Sequence, residues 1–200
     1  TSGITWNIVN CKDFLAVEID ENLYVIYPDN TYDNILSGIC HLTKWAYSDN
    51  LVMCSDSKGI ILLEKRNGRL EIRNRLGNCD GYCQAPLKND NLGNIWVDGL
   101  LGGVQRLTLD KRKQNVIKDK FYPIGDKRKI VKSHYVDNRI VFSQGKDCYT
   151  YNIDADSITL SKYYSDSSHC FETDIFSLAQ KDNLYFNYCD NNVGIVERQG

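Results

Sequence analysis

No run of eighteen apolar residues occurs in this chain, and its first residues lack the basic-then-apolar pattern of an export signal. The segment is therefore expected neither to insert into a bilayer nor to direct its own secretion. An excess of one charge is also missing: 24 Lys and Arg face 26 Asp and Glu, a net charge of −2. No global field draws a polyanion, so nucleic-acid binding through phosphate neutralisation is disfavoured. Apolar residues nowhere recur at 3.6-residue spacing over eleven or more positions, and helix should be scarce. No Pro/Gly/Ser-rich linker divides the chain, which is expected to form one domain over residues 1–200.

The motifs of common enzymes are absent as well. There is no Gly-x-Ser-x-Gly elbow, no Walker loop and no His-Glu-x-x-His helix. Paired acids occur at Asp29 and Asp33 and at Asp154 and Asp156, each in or beside a polar turn, where Asp is expected because it hydrogen-bonds its own backbone. No Cys-x-x-Cys spacing supports a zinc site. The adjacent pairs Cys40-His41 and His169-Cys170 point to opposite faces of a strand, so no metal or other cofactor is expected.

What the chain does contain is a repeat. Five times a polar turn leads into a short β-rich run, beginning at Phe14, Leu51, Ile95, Ile140 and Leu184, with separations of 37, 44, 45 and 44 residues. A second run opens eight or nine residues later, at Leu23, Ile60, Val104, Cys148 and Val193. Weaker β runs precede each start: Ile4 to Val9, Leu42 to Tyr47, Cys83 to Leu87, Ile130 to Tyr135 and Ile175 to Ala179. With a last strand such as Leu70 to Ile72, the unit reads as a four-stranded antiparallel meander. One meander cannot bury its apolar faces, whereas meanders stacked radially can. The expected fold is all-β, built of β-propeller blades, with repeats at about 4–37, 38–78, 79–126, 127–167 and 168–200, the last incomplete. Two readings stay open: a five-bladed ring with one incomplete blade, or a piece of a larger propeller. The second is preferred, because a larger ring need not hold every blade within 200 residues.

Eight cysteines is a high, even count. Cys54, Cys148 and Cys189 fall in strands, where a thiol packs as a small hydrophobe. Cys79 and Cys83 are close enough for a local bridge, and Cys40 and Cys83 occupy similar places in successive repeats. The basic clusters Lys111-Arg112-Lys113 and Lys127-Arg128-Lys129 read as solvated turns.

The third repeat carries the most distinctive stretch, Asn89-Asp90-Asn91-Leu92-Gly93-Asn94-Ile95-Trp96-Val97-Asp98-Gly99-Leu100-Leu101-Gly102-Gly103-Val104. Gly93 and Asn94 tolerate the positive φ of a tight turn, Trp96 would fill space between sheets, and Gly102-Gly103 would let a hairpin reverse. This stretch resembles the two-component regulator propeller repeat: a polar turn, Gly-Asn, an aliphatic-Trp-aliphatic strand, a turn, Gly-Gly and a second aliphatic strand. Asp98-Gly99 stands where that repeat usually has Gly-Thr, and the other four repeats lack the Trp and the Gly-Gly.

The resemblance implies part of the periplasmic or extracellular sensor region of a membrane-bound histidine kinase, including the hybrid two-component systems of gut bacteria that respond to glycan fragments. It further implies a carbohydrate or other small ligand, a longer sensor polypeptide, a homodimer and no catalysis in this segment. The alternative is a cytoplasmic protein-interaction scaffold of the WD-repeat kind, without a small ligand. If a ligand binds at a channel mouth, the residues placed there by the strand order are Trp6, His41, Trp45, Tyr82, His134 and His169.

Overall fold

The computed structural model describes residues 5–45, 48–77, 87–98, 100–136, 139–145, 147–162, 184–189 and 192–197; of Thr5, Trp6, Val136 and the last two segments it describes the backbone alone. The described chain is all-β. Its first sheet is β1 (Thr5–Cys11), β2 (Phe14–Ile19), β3 (Asn22–Ile26) and β4 (Tyr32–Ser37). The second comprises β5 (Ile39–Lys44), β6 (Leu51–Asp56), β7 (Gly59–Arg66) and β8 (Arg69–Arg75). The third comprises β9 (Leu87–Asn89), β10 (Ile95–Val97), β11 (Gly103–Leu109) and β12 (Val116–Pro123). The fourth comprises β13 (Lys132–Val136), β14 (Arg139–Gln144), β15 (Asp147–Asn152) and β16 (Ser157–Leu160), and β17 (Leu184–Cys189) pairs with β18 (Asn192–Glu197). Every sheet follows chain order, the simple meander expected of propeller-like blades.

Local chemistry explains the hairpins. Asn67 and Gly68, at φ +50° and +81°, form the two-residue turn between Arg66 and Arg69, the positive-φ pair that matches strand twist. Asp20 and Glu21 do the same between Ile19 and Asn22 at φ +48° and +62°, and Asn22 steadies the turn by donating Nδ2–H to the Asp20 carbonyl at 2.7 Å. Asp29 Oδ1 accepts from the Thr31 amide and hydroxyl, as turn chemistry predicts. The acid at 156 does more than shape its turn, since its Oδ1 accepts from Tyr122 and Tyr151 hydroxyls at 2.5 and 2.8 Å.

The chain divides into two compact units, Thr1–Asp98 with Gln105–Lys120, and Gly99–Val104 with Phe121–Gly200. In the first, β6 and β7 of the second sheet are buried on both faces. Val52, Cys54, Ile61 and Leu63 meet Val9, Phe14, Ala16, Leu23 and Val25 of the first sheet. Leu51, Met53, Ile60 and Leu62 meet Ile95, Val97 and Leu107 of the third. Alternate side chains thus enter alternate cores, which is why both strands read as continuous apolar runs.

Leu51 and Ile95 hold the same place in the repeat yet face each other across one core. The cause is turn length. Asp56 pairs with Gly59 around a two-residue turn, whereas the ladder of β10 and β11 ends at Val97 and Gln105 and leaves a longer loop. A one-residue change of phase turns a strand's whole face over.

That inversion sends Trp96 to the other face of the third sheet, where it is 1% exposed and its Nε1 donates to Asp90 Oδ2 at 2.8 Å. Asp90 also accepts the Leu92 and Asn94 amides and Asn94 Nδ2, each at 2.9 Å. Gly93 takes φ +83°, while Asn94, expected to share the positive φ, instead contributes its side chain and accepts from Thr108 Oγ1 at 3.0 Å. One aspartate therefore ties the turn and the Trp together.

In the second unit Gln144 is buried and clamps the loop before β13: its Oε1 accepts the Asp126 amide at 2.6 Å, and its Nε2 donates to the Ile124, Asp126 and Lys129 carbonyls at 2.9–3.3 Å.

Cys11, Cys40 and Cys54 are free thiols, and Cys11, Cys54 and Cys148 are buried. Cys79, Cys83 and Cys170 lie outside the described residues, as does the fifth repeat's first run. Burial raises the Cys11 thiol to about 11 and the Cys54 thiol to about 12, so both stay protonated.

Two outcomes follow from this packing. Trp96→Ala should lower unfolding stability by about 3–5 kcal/mol in urea titration, and Trp96→Phe by less, because it keeps the ring and loses the bond to Asp90. Thiol labelling of the native protein near pH 8 should leave Cys11 and Cys54 unmodified until denaturant is added.

Candidate functional site

The first strands of the first three sheets gather at one edge of the first unit, β1 beside β5 and β5 beside β9. Two of these strands carry a β-bulge. In β1, Thr5 pairs with Ile19 and Asn7 with Glu18, leaving Trp6 as the extra residue. In β5, Cys40 pairs with Ser55 and Thr43 with Met53, so His41 and Leu42 oppose a single residue. His41 takes φ +56°, an uncommon conformation for a residue with a Cβ. Bulges interrupt the ladder and re-aim side chains, and they concentrate beside binding sites.

The carboxylate of Glu18 joins the two bulges. It is 4% exposed and its Oε2 accepts from Asn7 Nδ2 at 2.7 Å and from the Leu42 amide at 3.3 Å. The bulge in β5 deprives Leu42 of a ladder partner, and a side chain from the neighbouring sheet supplies the acceptor. Ser55 Oγ donates to the Cys40 carbonyl at 2.9 Å, and the Ile39 amide donates to the Glu21 carbonyl at 2.9 Å. These contacts hold the strand on both sides of the bulge.

Electrostatically the spot is acidic. Burial and then the charges of Glu18, Glu21 and Asp56 push the Cys40 thiol up, so it is neutral and a poor nucleophile. Asp56 is held below the usual carboxylate range chiefly by Arg75, whose two terminal nitrogens donate to its two oxygens at 2.5 Å each, with the Lys58 amide adding a bond at 2.8 Å. His41 is half-buried, and an imidazole can both donate to and accept from the hydroxyls of a small ligand. Among the described residues no group of three or more His, Cys, Asp and Glu side chains is arranged to hold a metal ion.

Of the six ligand-binding candidates read from the sequence, Trp6 and His41 are brought to neighbouring bulges. Trp45 follows β5 and is buried in the second core, with Lys113 Nζ 4.5 Å from its ring centroid. His134 belongs to the second unit, on β13, where it is 5% exposed and its Nε2 lies 2.8 Å from Ser143 Oγ. Tyr82 and His169 lie outside the described residues. Glu18 was missed, although a signal exists: in Phe14, Ala16 and Glu18 the alternation puts a carboxylate on the core-facing side.

This arrangement of blades is found elsewhere. The extracellular domain assigned to the one-component system BT4673 of B. thetaiotaomicron superposes with a TM-score of 0.59 at 16% identity, over 96% of this chain and 27% of that one. The extracellular domain assigned to the hybrid two-component system BT3049 of the same organism gives 0.61 at 13% identity, again over 96% and 27%. The fold is theirs. A protein of unknown function from Bacteroides caccae gives 0.57 at 11% identity, over 98% of this chain and 79% of its own. The chain thus spans about a quarter of the length of the two extracellular domains. No family model and no curated protein matches the sequence.

Removing the acceptor at the bulges should be costly: Glu18→Leu strands the Leu42 amide and should lose about 1–3 kcal/mol of stability by denaturant titration, with Glu18→Gln retaining more of it. The ion pair has a pH signature. Because the folded Asp56 carboxyl titrates below its unfolded value, its stabilisation is complete above the unfolded pKa and disappears as pH falls through the lower, folded one. Arg75→Gln should therefore flatten the acid limb of the melting-temperature profile and leave the neutral-to-basic limb unchanged in shape.

Proposed function

We propose that the chain is part of the extracytoplasmic sensor region of a two-component-type signalling protein, and that it binds a small ligand such as a glycan fragment at the paired bulges of β1 and β5. The observation that carries the reading is the shared fold with extracellular domains of Bacteroides one-component and hybrid two-component systems, across nearly the whole chain. The Asp90-Gly93-Asn94-Trp96 arrangement supports it from the side of the sequence. The half-buried imidazole of His41, able to donate to or accept from a sugar hydroxyl, supports the ligand class, and an aromatic residue at the neighbouring bulge, Trp6, is suited to stacking on a sugar face.

The segment is read as non-catalytic. Its thiols at positions 11, 40 and 54 are all shifted away from the nucleophilic form, and the His134–Ser143 pair is buried. Signalling output would come from the remainder of a longer polypeptide, most simply as a dimer, since a small ligand must change the relation between two partners to be felt across a membrane.

The test is binding of a panel of oligosaccharides to the purified chain by calorimetry, with Trp6→Ala and His41→Ala beside it. Each substitution should weaken binding of a retained sugar about tenfold or more, equivalent to about 1.4 kcal/mol, with the melting temperature preserved. Unchanged affinity in both variants removes the proposed site. Failure of every sugar, together with a stable protein partner, favours the interaction-scaffold reading.

A further inference from the structure

Among the described residues the central strands of the second sheet are covered on both faces by neighbouring sheets, while those of the first meet a neighbouring sheet on one. Both central hairpins close through two-residue turns, Ile19 to Asn22 and Asp56 to Gly59, so positions counted from the turn correspond residue for residue. Leu15, Val17, Tyr24 and Ile26 stand where Val52, Cys54, Ile61 and Leu63 stand one sheet later. The later set lies beneath the first sheet in the shared core. The earlier set points the other way. Val52 and Leu63 are 0% exposed, whereas Leu15 and Ile26 are 38% and 39% exposed and Ile8 on β1 reaches 65%; Val17, opposite Ile8, is the one of the set that is buried, at 6%. The polar residues of this face include Asn10, Asn34 and Ser37 on the edge strands β1 and β4 and Asn22 at the hairpin end of β3, so apolar side chains occupy the rest of β2 and β3.

We propose that this face is the seat of a further four-stranded blade of the same polypeptide, stacked on the first sheet as the first sheet stacks on the second. The inference rests on the reading that these residues belong to a longer protein. It is argued from the continuity of an interface already present. The face bearing Val52, Cys54, Ile61 and Leu63 is met by a different surface, on which Phe14, Leu23 and Val25 surround the small Ala16. The partly exposed face repeats the first of these surfaces and calls for the second. Two copies of the chain joined through it would set like against like, which a two-fold contact requires and this heterologous packing does not supply. Apolar side chains left partly open on a sheet face also favour association over solvation.

Hydroxyl-radical footprinting read by mass spectrometry tests the seat directly, on the 200-residue chain and on the natural polypeptide expressed from its full reading frame, with sedimentation velocity on the shorter protein. Ile8, Leu15 and Ile26 should oxidise readily in the monomeric shorter chain and several-fold more slowly in the natural polypeptide, while Ile72, on the outer strand of the second sheet, changes little. Equal oxidation in the two proteins overturns the proposal. So does protection already present in the shorter chain, which in a dimer assigns the face to a second copy and in a monomer to a cover from within these residues. A reading frame that adds no further blade overturns it too. Loss of sugar binding would sink the ligand reading and leave this footprint as it is.

Discussion

A four-stranded meander satisfies its inner backbone hydrogen bonds by itself but leaves two faces to be covered, and that unmet burial governs this structure. β6 and β7 show the solution in full. Their side chains alternate between two cores, one shared with the first sheet and one with the third, and neither strand spares a central position for a polar residue. Such a strand tolerates no slip of register, because moving by one residue exchanges one core's side chains for the other's. The turn after β7 accordingly uses the positive-φ pair Asn67-Gly68, which locks the pairing.

Crowding of β1 and β5 at one edge has a chemical consequence. Each of these strands carries a bulge, a bulge leaves amides without ladder partners, and a carboxylate drawn into the interface answers one of them. Glu18 is therefore structural first: it joins two sheets through a side chain that burial would otherwise disfavour. The same contacts hold His41 in a conformation it would rarely choose and place Trp6 at the adjoining bulge. A binding surface at this edge would be pre-formed, its geometry set by the packing of blades.

Much of the fold is legible in the residues. Phe14, Leu51, Ile95 and Leu184 begin or nearly begin β2, β6, β10 and β17, and Asp29, Asn67-Gly68 and Gly93 sit in turns of the expected kind. Less of the site could be read. Spacing alone suggested that equivalent positions face equivalent ways, and the longer loop after β10 broke that rule for Ile95 and Trp96. Trp45 carries the signature of a ligand-stacking residue as well as that of a core residue, and only burial under Lys113 separates the two. Glu18 was hidden because a charge in a strand is ordinarily assigned to solvent. Cysteine number left the pairing open, and Cys11, Cys40 and Cys54 are free thiols.

By itself the sequence determined the meander: turn residues with positive φ, apolar alternation and the recurrence of the unit act over a few neighbouring positions and need no partner. Tertiary structure alone decided which face of each strand is buried, where β1 and β5 bulge and which carboxylate is drawn inside. Those outcomes depend on side chains from different sheets, Glu18 with Leu42 and Leu51 with Ile95, whose meeting is set by turn lengths and packing rather than by any local preference.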